Sequence, residues 1–215
     1  MLDGSLTGRC RVMPALLPDS SLLVLGIGNT LLSDDGFGVH ALQALRRRLA
    51  EEPDDIEMLD GGTLGLALAP MIAQHEALIV LDAARFDAVP GEVAAFCGEE
   101  MDRFLAANRK RSAHEVGLLD LTASLQLEEV LPPRRALIVV QPGWMDWGDK
   151  LSDAVAASVG AACRLAETLI AAWRAGLGWG DIAARGVCWD AGSALPSARG
   201  LEAFGAAVRP LGQRP

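Results

Sequence analysis

Carboxylates recur at the ends of apolar runs in this chain. Asp34 and Asp35 follow "SLLVLGIG" (Ser21 to Gly28), Asp60 ends "IEMLD" (Ile56 to Asp60), and Asp82 nearly closes "ALIVLDA" (Ala77 to Ala83). Any one of them is ordinarily a cap for the next helix. Gathered at one edge, like charges repel and are best tolerated when a cation or a shared proton neutralises them. A histidine joins the set. "SAHE" reads as a capping box, in which Ser112 accepts from the Glu115 backbone N–H and Glu115 bonds back to the Ser112 amide. His114 then lies in the first helical turn, where the helix dipole disfavours imidazolium and leaves a neutral ring able to serve as ligand or base. The plainer use of such a residue is simply to start the helix. Two carboxylates and a neutral imidazole suit nickel, zinc, iron or manganese, with coordination positions to spare. The other two histidines have structural readings: His40 on the polar side of the first helix, His75 at the surface or against a helix C-terminus.

The elements that must position these groups alternate. Ser21 to Gly28, Ile56 to Asp60, Ala77 to Ala83, Glu92 to Cys97 and Ala136 to Gln141 read as strands, several of them apolar throughout, as in a sheet covered on both faces. Helical periodicity runs over Gly36 to Ala50, His114 to Leu127 and Leu151 to Trp173. Ser33 reads as the N-cap of the first helix, with Asp34 and Asp35 in its first turn. "VPGEV" (Val89 to Val93) leaves no room for a helix between the third and fourth strands, so that pair reads as an antiparallel hairpin or meander. The pattern predicts a single-domain three-layer α/β/α sandwich with a mixed, mostly parallel twisted sheet of about five strands. In such a sheet the ligand crevice lies beyond the carboxyl ends of the strands, where Asp35, Asp60, Asp82 and Gln141 fall.

Composition excludes several classes. The 215 residues, 51% hydrophobic, suit one domain, here residues 21–175, between a loosely held leader (1–20) and a C-terminal extension (176–215). A net charge of -9 argues against nucleic acid as a partner. Cys10, Cys97, Cys163 and Cys188 show no ligand spacing and read as free thiols of a reducing cytoplasm. The first residues lack the continuous apolar core of a signal peptide, and no run is expected to reach a membrane span. "GIGNTL" departs from a dinucleotide fingerprint, because Leu31 replaces the third glycine.

"LVLGIGNTLLSDDGFGVHAL", "LDGGTLGLAL", "LIVLDAARFDAVPGEV", "SAHEVGLLDLTASL" and "VVQPGWMDWGDKLS" occur in that order, and together they resemble the hydrogenase maturation endopeptidases from about Leu22 to Trp173. The resemblance implies an endopeptidase that trims the C-terminus of the nickel-loaded large-subunit precursor of a [NiFe] hydrogenase. It places the metal-contacting and catalytic roles on Asp35, Asp82 and His114, and a substrate-positioning loop on Asp60, Gly61, Gly62 and Thr63. Some family members carry Glu where Asp35 stands, one methylene longer. The nickel arrives with the substrate, so no permanently bound cofactor is implied. No Ser, Cys or Thr nucleophile sits in a matching motif, which disfavours an acyl-enzyme. A cytoplasmic monomer that embraces the precursor is expected, with Trp144 and Trp147 as candidates for its docking surface. The alternatives are a nickel-dependent assembly factor that binds the precursor without cutting it, and a peptidyl-tRNA hydrolase-like enzyme, which also opens on a strand and a Gly-x-Gly-Asn turn.

Overall fold

The computed structural model describes residues 21–49, 55–108 and 113–177, with the backbone alone for 113–116. Five strands form one sheet in the order β2-β1-β3-β5-β4: β1 is Leu22–Ile27, β2 Ile56–Gly62, β3 Ala77–Ala83, β4 Val93–Cys97 and β5 Arg134–Val140. β1, β2, β3 and β5 run parallel, and β4 is antiparallel to β5 at the edge. The expected mixed, mostly parallel sheet is the one found. The expected hairpin between the third and fourth strands is not: β5 lies between them. The nine residues that follow β3 cross the end of β5, and Gln141 is stitched to that crossing through Gly91 N–H to Gln141 O and Gln141 N–H to Glu92 O. A loop of that length spans the gap of an intervening strand, whereas a hairpin turn uses two to five residues.

Strand alternation divides the core in two. Leu22, Val24, Ile79 and Leu81 face one layer with α1 (Phe37–Arg48) and α5 (Asp153–Arg174), while Leu23, Leu25, Leu78 and Val80 face the other with Phe104, Leu118 and Leu121. This second layer holds the single turn α2 (Ala69–Ile72), α3 (Glu99–Asn108) and α4 (Ala113–Leu127). Helix α3 was not anticipated, although Met101, Phe104 and Leu105 carry its buried face at helical spacing. Phe96 of β4 stacks on Phe104 with ring centroids 4.0 Å apart. Helix α5 is long and apolar enough by composition to span a membrane, with a mean hydropathy of 1.4, contrary to expectation. Its apolar stripe, from Val155 through Leu165 and Leu169 to Trp173, is buried in the first core layer, and its end is held by the Arg174 ion pair to Asp55.

Two cysteines lie among the described residues. Cys163 on α5 is a buried free thiol, as expected. Cys97 is disulfide-bonded, which corrects the free-thiol expectation there; its partner is outside the described residues. His75 is buried rather than at the surface, with Nδ1 2.8 Å from the Met71 carbonyl oxygen at the end of α2 and Nε2 3.2 Å from Glu57.

Candidate active site at the strand ends

The chain turns one way from β1 to β2 and the other way to β3, so β1 and β3 flank the point where the winding reverses. Open α/β sheets bind their ligands at such a point. Asp35 and Asp82 both lie there. Asp82 is the sixth residue of β3, one beyond Leu81, which pairs with Gly26 of β1. Asp35 belongs to a 3-10 turn, Ser33–Gly36, that joins the end of β1 to α1 and packs against β3.

Glycines make this junction tight. A Cβ on Gly38 would lie 2.1 Å from the Leu81 carbonyl oxygen and 2.2 Å from that of Ile27, so only glycine lets α1 start directly over the ends of β1 and β3. Gly28, at φ +131°, would place a Cβ 1.8 Å from the Asp35 carbonyl oxygen. The turn is therefore clamped against the strand it leaves, and the Asp35 side chain points back to it, with Oδ2 accepting the Asn29 N–H at 2.9 Å.

Both carboxylates are buried, at 1% exposure each. Asp82 Oδ1 accepts the Ala83 N–H at 2.8 Å. By strand alternation Asp82 shares its face with Leu78 and Val80, the face covered by α4. Helix α4 feeds β5 from the opposite edge of the sheet, and its fifteen residues span about 22 Å, close to the height of a seven-residue strand. Its first turn, with the backbone of His114, is thus carried to the edge where Asp82 ends β3. One turn on, Gly117 and Leu118 line a small cleft with Ile27, Thr63, Gly65, Leu68 and Leu121. The side chain of His114 and the capping residue Ser112 lie outside the described residues. Among those described, no group of three or more metal-capable side chains comes together.

The 60–63 segment borders the same cleft. Asp60 is exposed and its Oδ1 accepts the Gly62 N–H at 3.0 Å, shaping its own turn. Gly61 is buried where a Cβ would press on Leu25 and Leu68, Gly62 takes φ +45°, and Thr63 is exposed on the cleft wall. Asp60, Gly61 and Gly62 close β2, and Thr63 leads out of the strand onto the wall of the cleft beneath α4.

Ser33 is not the expected N-cap. It sits at φ 51° and its hydroxyl donates to the Asp146 carbonyl at 3.0 Å, while the turn it opens is 3-10 and α1 starts only at Phe37. Asp34 has a different task from Asp35. Its carboxylate is fully buried and accepts from Gly143 N–H (2.9 Å), Trp144 N–H (2.8 Å), Ser152 N–H (2.7 Å) and Ser152 Oγ–H (2.9 Å). Four donors converging on one buried carboxylate compensate its desolvation. The loop after β5 is pinned further by Ser33 N–H to Gly148 O and Gly148 N–H to Leu31 O. Adjacent aspartates are thus divided: one is bound into the scaffold, the other is set at the winding reversal. Gln141 is a second scaffold residue, whose Oε1 accepts the Phe86 N–H at 2.9 Å and holds the loop that follows Asp82. The Asn29 amide that orients Asp35 was missed in the sequence, although the Gly-Asn turn after β1 was its signal.

A family model described as hydrogenase maturation protease matches residues 39–169, a span that includes Asp82 and His114 and begins just past Asp35. The hydrogenase expression/formation protein HupD of Rhodobacter capsulatus is 40% identical over 165 residues, covering 75% of this chain and 76% of that protein. The hydrogenase 2 maturation protease of Escherichia coli is 36% identical over 122 residues, covering 56% of this chain and 73% of its own. Among solved structures, the hydrogenase maturating endopeptidase HybD of Escherichia coli superposes with a TM-score of 0.63 at 31% identity, over 68% of this chain and 90% of that one. The [NiFe] hydrogenase maturation protease HybD of Thermococcus kodakarensis gives 0.59 at 35% identity, over 70% and 99%.

Proposed function

The chain belongs to the hydrogenase maturation protease family and is a peptidase, and from that premise we propose that it removes the C-terminal peptide of the nickel-loaded large-subunit precursor of a [NiFe] hydrogenase. In this reading Asp35, Asp82 and His114 complete the coordination shell of a nickel ion that remains part of the substrate. The observation that carries it is the placement of two buried carboxylates, Asp35 and Asp82, at the winding reversal between β1 and β3. Buried like charges at a ligand crevice suit a cation supplied from outside better than a purely structural role.

Bridging enzyme and precursor through the ion would fix the scissile peptide beside the site and remove much of the entropic barrier to attack. The peptide bond is then hydrolysed by water, through polarisation of its carbonyl by the metal or activation of the water by a carboxylate. The segment of Asp60, Gly61, Gly62 and Thr63, with its tight backbone, borders the path of the departing peptide. The same reading has the enzyme work as a cytoplasmic monomer with its strand-end edge open.

The test is direct. Purified protein is incubated with nickel-loaded and nickel-free precursor, and the mass of the large subunit is read by mass spectrometry. Loss of the C-terminal peptide from the nickel-loaded form alone is expected. Equal shortening of both forms would remove the nickel-reading role of the site, and an intact nickel-loaded precursor would remove the function.

A further inference from the structure

Exposed apolar side chains are concentrated at one end of the molecule. Of the eight large ones among the described residues, only Leu127 and Val130 lie at the far edge, near the end of α4. The other six, Leu31, Leu64, Leu66, Val89, Trp144 and Trp147, stand on the four loops that follow β1, β2, β3 and β5. Those are the loops that surround Asp35 and Asp82. The two indoles are 59% and 79% exposed, which is costly for side chains of that size unless a partner covers them.

Their loop is rigid. The buried Asp34 carboxylate accepts the Trp144 N–H, Ser33 N–H reaches Gly148 O beside Trp147, and Gly148 N–H returns to Leu31 O. Leu31 and the indoles are therefore held on one backbone unit. Pro90 lies against Gly143, which brings the Val89 loop alongside. Aromatic anchors held this way lose little conformational freedom on binding. Around them the exposed charges are mostly acidic: Asp60, Asp87, Asp146 and Asp149 against Arg85 and Lys150.

We propose that loop 141–152 is a docking arm: Trp144 and Trp147, clamped to the catalytic edge by Asp34, seat an apolar, basic-fringed face of the hydrogenase large-subunit precursor. The proposal rests on the precursor-protease reading. Two features of the edge select this occupant. The apolar patch is continuous with the edge that holds the cutting site, so a protein whose tail enters there must cover it. The acidic fringe favours a partner of opposite charge and predicts association that weakens with salt.

The experiment measures KM and kcat for cleavage of the nickel-loaded precursor by the full chain, as parent, Trp147→Ala, Trp144→Ala/Trp147→Ala and Leu127→Ala. Melting curves check that each variant is folded. The double variant should raise KM at least about thirtyfold, as expected for the loss of two anchoring indoles, while kcat stays near the parental value. Trp147→Ala should fall between, Leu127→Ala should match the parent, and the parental KM should rise with salt. A parental KM in the double variant, with cleavage intact, overturns the docking arm and leaves the protease reading standing. A parent that fails to cleave and fails to bind the precursor removes both. Binding lost in the double variant, with a parent that binds but never cleaves, supports the arm and removes the protease reading. A photocrosslinker at position 147 should capture the precursor; capture of a second copy of this chain, or of its own residues 178–215, overturns the proposal.

Discussion

Asp34 and Trp144 hold each other in both directions. The Asp34 N–H donates to the Trp144 carbonyl at 3.1 Å, and Asp34 Oδ2 accepts the Trp144 N–H at 2.8 Å, across 110 residues of chain. The same carboxylate takes three further donors from Gly143 and Ser152. Replacing it by Asn turns one acceptor into a donor that faces N–H and O–H groups, leaving buried polar groups unpaired. Asp34→Asn should therefore cost about 3 kcal/mol and lower Tm by roughly 10 °C. Urea and thermal denaturation read the loss. An unshifted Tm would mean that the four bonds contribute nothing net and that loop 141–152 is held by other contacts.

The division of labour between Asp34 and Asp35 was not legible in the sequence. Side by side after a strand, the two have the same local environment, and their roles separate only when a loop more than a hundred residues later folds over Asp34. Strands were legible because β1, β3 and β5 are buried nearly throughout and need continuous apolar runs. Their order was not, since β4 and β3 would satisfy the same residue pattern as neighbours; only the long crossing at 84–92 separates them. Helix α3 was missed even though Met101, Phe104 and Leu105 gave its signal. The strand-end carboxylates Asp35 and Asp82 were legible for a topological reason: residues closing parallel strands arrive at one edge whatever the details of the packing.

The start of α1 tolerates no side chain at Gly38. A methyl group there would meet two backbone oxygens, Leu81 O and Ile27 O, at little over 2 Å, and backbone of two paired strands cannot give way as a flexible side chain can. Gly38→Ala should push α1 off the ends of β1 and β3 and cost about 3 kcal/mol or more, at the upper end of overpacking effects. Chemical denaturation gives the number. Cleavage should fall as well, because the turn that carries Asp35 is continuous with α1. A variant with parental stability and parental cleavage would refute the tight junction.

Cys163 is a buried thiol whose pKa is raised, first by desolvation and against the pull of the nearby Arg48 charge. It should resist alkylation in the native protein at pH 8 and react fully once denatured, as a mass shift after iodoacetamide treatment would show. The sign of its linkage follows. A folded-state pKa above the unfolded value favours the protonated thiol in the fold, so this contribution is complete below the ordinary thiol pKa of about 8.5 and is lost as pH rises through the folded value. Cys163→Ser, compared with the parent across pH 7 to 10.5 in denaturant titrations, should flatten that part of the alkaline decline. Rapid native labelling would place the thiol in a more open environment than the packing of α5 against α1 allows.

Asp82 separates a catalytic from a structural carboxylate by the sign of its effect on stability. A helix-capping or scaffold carboxylate stabilises the fold, so its neutralisation lowers Tm, as argued for Asp34. A buried carboxylate kept for an incoming cation is retained for function and not for the fold, so its neutralisation need not destabilise, and Asp82 is buried at such a strand end. Asp82→Asn retains an oxygen able to accept the Ala83 N–H and removes the charge. Its expected result is a Tm at or above the parental value together with a loss of cleavage of at least about a hundredfold, equivalent to roughly 2.7 kcal/mol of transition-state stabilisation. Differential scanning calorimetry and precursor cleavage on the same preparation give both readings. A Tm lowered by as much as that of Asp34→Asn, with cleavage merely following the loss of folded protein, would place Asp82 in the scaffold and leave Asp35 and His114 without their partner.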